Sequence, residues 1–186
     1  MKITFIRHGA TKGNLEKRYI GKTDEELCPE GISELKKLDI TQSEVIIVSP
    51  MKRCIQTAEL LFPSKKYIVC RELRECDFGR FEGKNYIELT GDAEYQAWID
   101  SGGKKCFPDG ESPEIFKQRC ISAFKDIVKK YNDKKSMTFV VHGGTIMAIL
   151  EKYGYPERGY YDWNVKNGHG WTGDFDGKRI NISEKI

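Results

Sequence analysis

Two apolar segments of the chain each end in a histidine that is followed by glycine. The first, "ITFIRHG", carries Arg7 and His8 at its end, and the second, "MTFVVHGG", carries His142. Continuous apolar runs of this length are typical of strands that are covered on both faces of a sheet. Ligands of an open α/β sheet bind in the crevice outside the carboxyl ends of its strands, so we expect both histidines to face that crevice.

Charged residues also follow two other predicted strands. Arg53 lies in the first turn of the helix predicted by "SPMKRCIQTA", and Glu75 follows the short apolar run near residue 69. Arginine suits bidentate recognition of phosphate, and helix N-termini add backbone donors for an anion. Nearby guanidinium groups keep an imidazole neutral and therefore nucleophilic, and a carboxyl group can protonate a leaving oxygen. Together these residues predict a phosphoryl-transfer site.

Four segments of the sequence resemble the motifs of the histidine phosphatase superfamily, also called phosphoglycerate mutase-like proteins. They are "RHGATKGN", "SPMKRCIQTA", "LRECDFGRFEG" and "VVHGGTIMAIL". One such segment alone would be weak evidence. The four together are strong evidence, because they occur in the family's order from the start of the chain to about residue 150.

The resemblance implies a role for each of the residues above. It makes His8 the phosphate acceptor and Glu75 the proton donor. The implied phosphate pocket is formed by Arg7, Arg53 and His142. Three further positions match the phosphate-binding or substrate-binding part of the motifs: Thr11, Asn14 and Gly143. Family members need neither metal nor other cofactor, because the arginines and histidines stabilise the charge of the transferring phosphoryl group.

Some assignments leave alternatives open. Glu72 and Glu82 lie near Glu75, which is favoured on motif register. The segment "PDGES" either caps the following helix through Ser112 or corresponds to the GGES element of the α-ribazole phosphatase branch. The third histidine, His169, has the sequence context of a turn residue.

The elements that position these residues are strands that alternate with helices. Strands are predicted at residues 3–6, 45–48, 67–69 and 137–141, all of them apolar runs as in a sheet covered on both faces. Helices are predicted at residues 29–38, 51–62, 112–131 and 145–153. This alternation predicts a three-layer α/β/α sandwich with a mostly parallel central sheet. Turn signals at residues 167–168 and 176–177 predict one or two late strands paired as hairpins. Cys28, directly before the first predicted helix, is expected to be a poor N-cap.

The chain of 186 residues is expected to form a single domain, residues 1–186. Segment 84–110 interrupts the alternation, and we interpret it as an excursion over the active-site end of the sheet. In this segment the spacing of Tyr95, Trp98 and Ile99 indicates the packing face of a short helix.

Composition argues against several other classes of protein. The formal charge of +3 and the scattered lysines do not indicate a nucleic-acid partner. No segment is long and apolar enough for a membrane span, and the first apolar run is too short for a signal peptide, so a cytoplasmic protein is expected. The six cysteines lack metal-ligand spacing, which predicts reduced thiols and no metal site. The oligomeric state is left open.

Within the resemblance, the short segment 84–110 favours a phosphatase over a mutase. The phosphoglycerate mutases carry a longer, basic insertion here, whereas this segment has only three cations: Lys84, Lys104 and Lys105. We expect a metal-independent phosphomonoesterase that forms phosphohistidine and acts on a small phosphorylated metabolite, with α-ribazole 5′-phosphate slightly favoured. The alternatives are a phosphoglycerate mutase, a broad-specificity sugar-phosphate phosphatase and, more remotely, a phosphate-binding module without activity.

Overall fold

A seven-stranded sheet between two layers of helices forms the centre of the protein in a computed structural model that describes residues 1–186. The strands are β1 (Lys2–Arg7), β2 (Val45–Val48), β3 (Ile68–Val69), β4 (Ser136–Val141), β5 (Gly154–Tyr155), β6 (Gly170–Phe175) and β7 (Ile180–Lys185). The helices are α1 (Lys12–Leu15), α2 (Pro29–Leu35), α3 (Lys52–Leu61), α4 (Ala93–Asp100), α5 (Pro113–Lys130) and α6 (Gly143–Tyr153). The predicted α/β class is confirmed.

The sheet is mixed, with strand order β3-β2-β4-β1-β6-β7-β5. Neighbours from β3 to β1 are parallel, whereas β6 runs antiparallel to both β1 and β7. The turn at Asp176 and Gly177 joins β6 to β7 as the predicted late hairpin. The parallel half of the sheet therefore brings the ends of β1 and β4 to the same edge, next to each other.

Successive side chains of the central strands enter two different cores. Ile3 and Phe5 of β1 pack in the larger core under α5 and α6, whereas Ile6 packs in a smaller core that includes Cys54 and Ala58 of α3. This alternation follows from the two-residue period of a strand. Apolar residues of β1 therefore face a core on each side of the sheet, which is why most of the strand appears in the sequence as an apolar run.

Phe124 of α5 is a central contact of the larger core. Its ring centroid lies 5.9 Å from that of Phe5, 5.4 Å from that of Phe139 and 5.1 Å from that of Tyr153. Because Phe124→Ala removes a fully buried ring, we expect it to lower the free energy of unfolding by about 3–5 kcal/mol, measured by urea denaturation. Ile115→Ala, at an exposed position of the same helix, is the control and should cost less than about 0.5 kcal/mol. Equal losses in the two variants would contradict this packing.

Some elements differ from the predicted ones. The side chains of β3 are exposed, Ile68 by 40% and Val69 by 49%, because β3 is an edge strand that pairs only with β2; the prediction of a covered strand is wrong there. Helix α2 ends at Leu35, three residues early. Cys28 stands at the N-cap position of α2, where its Sγ accepts a hydrogen bond from Gly31 N at 3.4 Å.

Segment 84–110 contains α4, which packs beside Phe81. The ring centroid of Phe81 lies 5.4 Å from that of Tyr95 and 6.4 Å from that of Trp98. Ile99 is not part of this packing face, because 46% of it is exposed. All six cysteines are free thiols, and none of the helices has the length and apolar character that a membrane crossing requires.

Candidate active site

The ends of β1 and β4 place His8 and His142 side by side. The backbone N–H of His8 donates to the carbonyl of Val141 at 3.0 Å, and the two imidazole ring centroids are 5.2 Å apart. Both side chains are buried. Helix α6 begins two residues earlier than predicted, so that His142 is its N-cap residue. The shared edge of the parallel strands thus brings together two residues that are 134 positions apart in the chain.

His8 is held in the tautomer that a nucleophile requires. Its Nδ1 lies 2.7 Å from the carbonyl oxygen of Gly9. A carbonyl only accepts hydrogen bonds, so Nδ1 carries the proton and Nε2 keeps its lone pair. Burial lowers the pKa of His8 well below its usual value of 6.5, and the charges of Arg53 and Arg7 lower that pKa further. The imidazole is therefore neutral and nucleophilic near neutral pH.

Arg7 and Arg53 are fixed by backbone carbonyls. Nη1 of Arg7 donates to Val165 O at 2.8 Å. Arg53, which is completely buried, donates from Nη1 to Thr23 O at 2.8 Å and from Nη2 to Gly21 O at 2.9 Å. The Nε atoms of both arginines are buried without a hydrogen-bond partner in the protein. Unpaired donors on rigid guanidinium groups suit the binding of a phosphate anion.

Glu75 is held by backbone donors beside the start of α6. Its Oε1 accepts from Cys76 N at 3.0 Å and its Oε2 accepts from Gly144 N at 3.2 Å. Burial raises the pKa of the Glu75 carboxyl, although these hydrogen bonds and the charges of Arg53 and Arg7 act in the opposite direction. A carboxyl with a raised pKa is suited to act as a general acid.

The two other candidate carboxylates have different surroundings. Glu72 pairs with Arg74 at the surface, with 3.6 Å between Oε2 and Nη1. Oε1 of Glu82 accepts from Gly21 N at 2.7 Å and from Thr23 N at 2.9 Å, which holds the loop that contacts Arg53. Neither lines the cavity described below, whereas Glu75 does.

Gly144 makes room for the Glu75 carboxyl. A Cβ atom at residue 144 would lie 2.5 Å from Glu75 Oε1 and 3.1 Å from Cζ of Phe116. Because Gly144→Ala must displace the carboxyl, we expect it to lower kcat by about 100-fold while the protein stays folded. Steady-state kinetics combined with thermal unfolding will test this; full activity in a folded Gly144→Ala protein would contradict it.

The remaining predicted residues are placed differently from one another. Oδ1 of Asn14 accepts from Thr11 N at 3.2 Å and from Asn167 Nδ2 at 3.0 Å, which leaves the Nδ2 group of Asn14 as a donor at the cavity wall. Thr11 is buried, and its hydroxyl caps α1 by accepting from Asn14 N. Gly143 packs against Arg7, whose Cζ lies 3.4 Å from the position of a Cβ at residue 143.

Three side chains that support the histidines were missed from the sequence. Ser49 Oγ lies 2.6 Å from Nε2 of His142. The hydroxyl of Thr57 accepts from Gly9 N at 2.9 Å, and Asn167 Nδ2 donates to His8 O at 3.1 Å. Ser49 and Thr57 lie within the "SPMKRCIQTA" segment, so the motif itself carried a signal for them. Asn167 had only its turn-like neighbour Gly168.

A cavity of about 520 Å³ opens at this edge of the sheet. Its polar end holds Arg7, His8, Asn14 and Glu75, whereas Thr11, Arg53 and His142 lie behind the cavity wall. Eight large apolar or aromatic side chains form much of the rest of the wall: Tyr19, Phe78, Trp98, Phe107, Phe116, Met147, Tyr160 and Tyr161. Trp98 and Phe107 come from segment 84–110, so this segment shapes the cavity. No three His, Cys, Asp or Glu side chains converge in a group that could hold a metal ion.

Comparison with protein families matches residues 3–184 to the histidine phosphatase superfamily (branch 1), and the chain belongs to this family. It is 25% identical over 177 residues to an adenosylcobalamin/α-ribazole phosphatase of Escherichia coli, covering 90% of this chain and 87% of that protein. The crystal structure of the α-ribazole phosphatase from Shigella flexneri has the same fold, with a TM-score of 0.86, 24% identity and coverage of 98% of this chain and 95% of that one.

A second solved structure is similar over nearly the same length. It is a phosphoserine phosphatase from Entamoeba histolytica in complex with 3-phosphoglyceric acid, with a TM-score of 0.80, 25% identity and coverage of 99% of this chain and 95% of that one. The names of these relatives refer to different substrates, so membership of the family does not by itself identify the substrate of this chain.

Proposed function

We propose that this protein is a metal-independent phosphomonoesterase that acts through a phosphohistidine intermediate on a small phosphorylated metabolite. The observation that carries the proposal is the buried, neutral His8, which lines the same cavity as Arg7 and Glu75 and keeps Nε2 unprotonated. A nucleophile, a fixed cation and a carboxyl with a raised pKa are the groups that such a reaction requires.

In the first step, Nε2 of His8 attacks the phosphorus of the bound monoester. The N–P bond forms as the P–O bond to the alcohol breaks, and the Glu75 carboxyl gives its proton to the departing oxygen. The guanidinium groups of Arg7 and Arg53 stabilise the charge on the phosphoryl oxygens. In the second step, the Glu75 carboxylate accepts a proton from a water molecule. The water oxygen bonds to phosphorus as the N–P bond breaks, which releases inorganic phosphate and neutral His8.

The cations of the cavity favour hydrolysis over a mutase reaction, which must retain a bisphosphate. Arg18 is paired with Glu16 and Glu88, and its Nη1 lies 2.6 Å from the Glu88 carboxylate. Lys117 is paired with Glu151 at 2.7 Å. Apart from Arg7, only Lys104 among the cavity-lining cations has no carboxylate partner. The cavity therefore offers little unpaired positive charge to bind a second phosphate group.

The walls of the cavity support a substrate whose alcohol part is largely apolar or planar. Aromatic faces stack well on planar groups, and a second anionic group finds few unpaired donors on these walls. This composition favours α-ribazole 5′-phosphate over 3-phosphoglycerate, in line with the names of two of the relatives above. A broad-specificity sugar-phosphate phosphatase is the second candidate, favoured by the size of the cavity.

Phosphate release from a substrate panel, with a metal chelator present, tests both the metal-independent phosphatase activity and the preference for α-ribazole 5′-phosphate. The panel contains α-ribazole 5′-phosphate, 3-phosphoglycerate, phosphoserine, a fructose bisphosphate and p-nitrophenyl phosphate. We expect turnover in chelator and the highest kcat/KM for α-ribazole 5′-phosphate. Equal kcat/KM values across the panel would support the second candidate, and absence of turnover on every member would contradict the phosphatase proposal.

A further inference from the structure

Glu111 and Arg119 form a bidentate ion pair behind the cavity. Nε of Arg119 donates to Oε1 of Glu111 at 3.0 Å, and Nη2 donates to Oε2 at 2.8 Å. Only 13% of the Glu111 side chain and 9% of the Arg119 side chain are exposed. Neither residue lines the cavity, so neither contacts a substrate there.

Arg119 also binds the chain segment that carries Glu75. Its Nη1 donates to Glu72 O at 2.6 Å and to Arg74 O at 3.0 Å, and its Nη2 lies 3.5 Å from Glu75 O. One guanidinium group on α5 therefore binds two carbonyl groups on the N-terminal side of Glu75 and the carbonyl of Glu75 itself.

Glu111 binds the same segment on the C-terminal side of Glu75. Its backbone N–H donates to Asp77 O at 2.8 Å, and its Oε2 accepts from Asp77 N at 3.4 Å. The ion pair thus connects both flanks of Glu75 to the start of α5. Residues 71–73 form one short 3₁₀ turn, and the segment between this turn and residue 79 contains no helix or strand that would fix its backbone.

We propose that the Arg119–Glu111 pair is a positioning device for the general acid: it fixes the backbone around Glu75 so that the carboxyl meets the leaving oxygen. This inference rests on the proposed function. It also assigns a second task to the "DGES" turn, because Ser112 caps α5 by accepting from Ile115 N while the adjacent Glu111 holds Arg119. General-acid catalysis is sensitive to displacements of about 1 Å, so a loss of these contacts should act on proton donation.

The test compares two substrates whose leaving groups differ in their need for a proton. An alkyl phosphate requires protonation of its leaving oxygen, whereas 2,4-dinitrophenyl phosphate expels a stable phenolate. The variant Arg119→Lys keeps the charge and removes the planar fork that reaches several acceptors. We expect Arg119→Lys to lower kcat/KM for the alkyl phosphate at least about tenfold more than for the dinitrophenyl ester. The parameter kcat/KM covers the steps up to alcohol release and excludes later hydrolysis of phosphohistidine.

Two further variants separate positioning from general stability. Val128→Ala removes core methyl groups near the other end of α5; it should lower the melting temperature and leave the ratio of the two kcat/KM values unchanged. In a Glu75→Gln background, Arg119→Lys should add less than about a threefold further loss on the alkyl phosphate, because the acid it positions is already gone. Glu111→Gln provides the same comparison if Arg119→Lys does not fold.

Equal losses on the two substrates, or a full Arg119→Lys loss in the Glu75→Gln background, would overturn the positioning role. If the wild-type protein hydrolyses both esters, such results for the variants would leave the proposed function intact. A wild-type protein without phosphatase activity would overturn both proposals together.

Discussion

His8→Ala is expected to lower kcat/KM for every phosphomonoester by at least about 10⁴-fold, because it removes the nucleophile on which both steps of the reaction depend. Only an unprotonated nitrogen aimed into the cavity can form the N–P bond, and the structure fixes Nε2 of His8 in that state through the contact of Nδ1 with Gly9 O. Phosphate release measured with wild-type and variant protein will show the loss. Circular dichroism of the variant should show an unchanged fold.

His169→Ala is the matched control for this variant. His169 is exposed, and its Nδ1 lies 3.1 Å from Ile186 O, away from the cavity. Its replacement should leave kcat/KM within about twofold of wild type, as is usual for a surface position. Rapid quenching of the wild-type protein with a ³²P-labelled substrate should trap a label that is stable to base and labile to acid, and this label should be absent from His8→Ala. Activity of His8→Ala within about tenfold of wild type would contradict the nucleophile assignment.

The convergence of the two histidines could be predicted from the sequence because it depends on local pattern and one rule of topology. Two continuous apolar runs predicted β1 and β4, and the carboxyl ends of parallel strands meet at one edge. No further information was needed to predict that His8 and His142 lie close together. The turn residues Asp176 and Gly177 likewise predicted the late hairpin, since hairpin turns have local sequence requirements.

Features that depend on the order of the strands could not be predicted in the same way. The local pattern of Ile68 and Val69 does not reveal that β3 lies at the edge of the sheet, where one face of each strand residue stays in solvent. The hydrogen bond from Asn167 to His8 O spans 159 positions of the chain and exists only because β6 pairs with β1. Contacts of this type follow from tertiary structure alone.

The structure also gives the three neighbouring candidate carboxylates different surroundings. Glu72, Glu75 and Glu82 lie within eleven positions of one another, yet only Glu75 reaches the cavity. Sequence register favoured Glu75, and the structure gives a spatial reason for its place at the cavity: Gly144 leaves space for the Glu75 carboxyl at the start of α6. Arg53 was predicted for the pocket, whereas the structure buries it completely outside the cavity lining and leaves its Nε without a partner in the protein.

Glu75→Gln is expected to lower kcat/KM for an alkyl phosphate by about 10²- to 10⁴-fold, because glutamine keeps the shape of the side chain and cannot give up a proton as an acid. The effect on 2,4-dinitrophenyl phosphate should be much smaller, since that leaving group needs no proton. Glu82→Gln is the control: this carboxylate binds backbone N–H groups outside the cavity and should not change the ratio of the two kcat/KM values. A similar loss on both esters would assign Glu75 a role in binding phosphate instead.

The pH dependence of the Glu75→Gln effect follows from the directions of two pKa shifts. Glu75 must be protonated to donate, and its pKa is raised above the usual 4.5, so wild-type activity falls as the pH rises through that pKa. His8 must be neutral, and its pKa is lowered below 6.5, so activity is also lost as the pH falls through the His8 pKa. The loss of activity through protonation of His8 and the ionisation of the substrate affect both proteins equally. Only the wild type also loses activity through deprotonation of Glu75. The ratio of wild-type to variant kcat/KM for the alkyl phosphate should therefore be largest at acid pH and decline as the pH rises. A ratio that stays constant across the pH range would show that the Glu75 proton is not the one transferred.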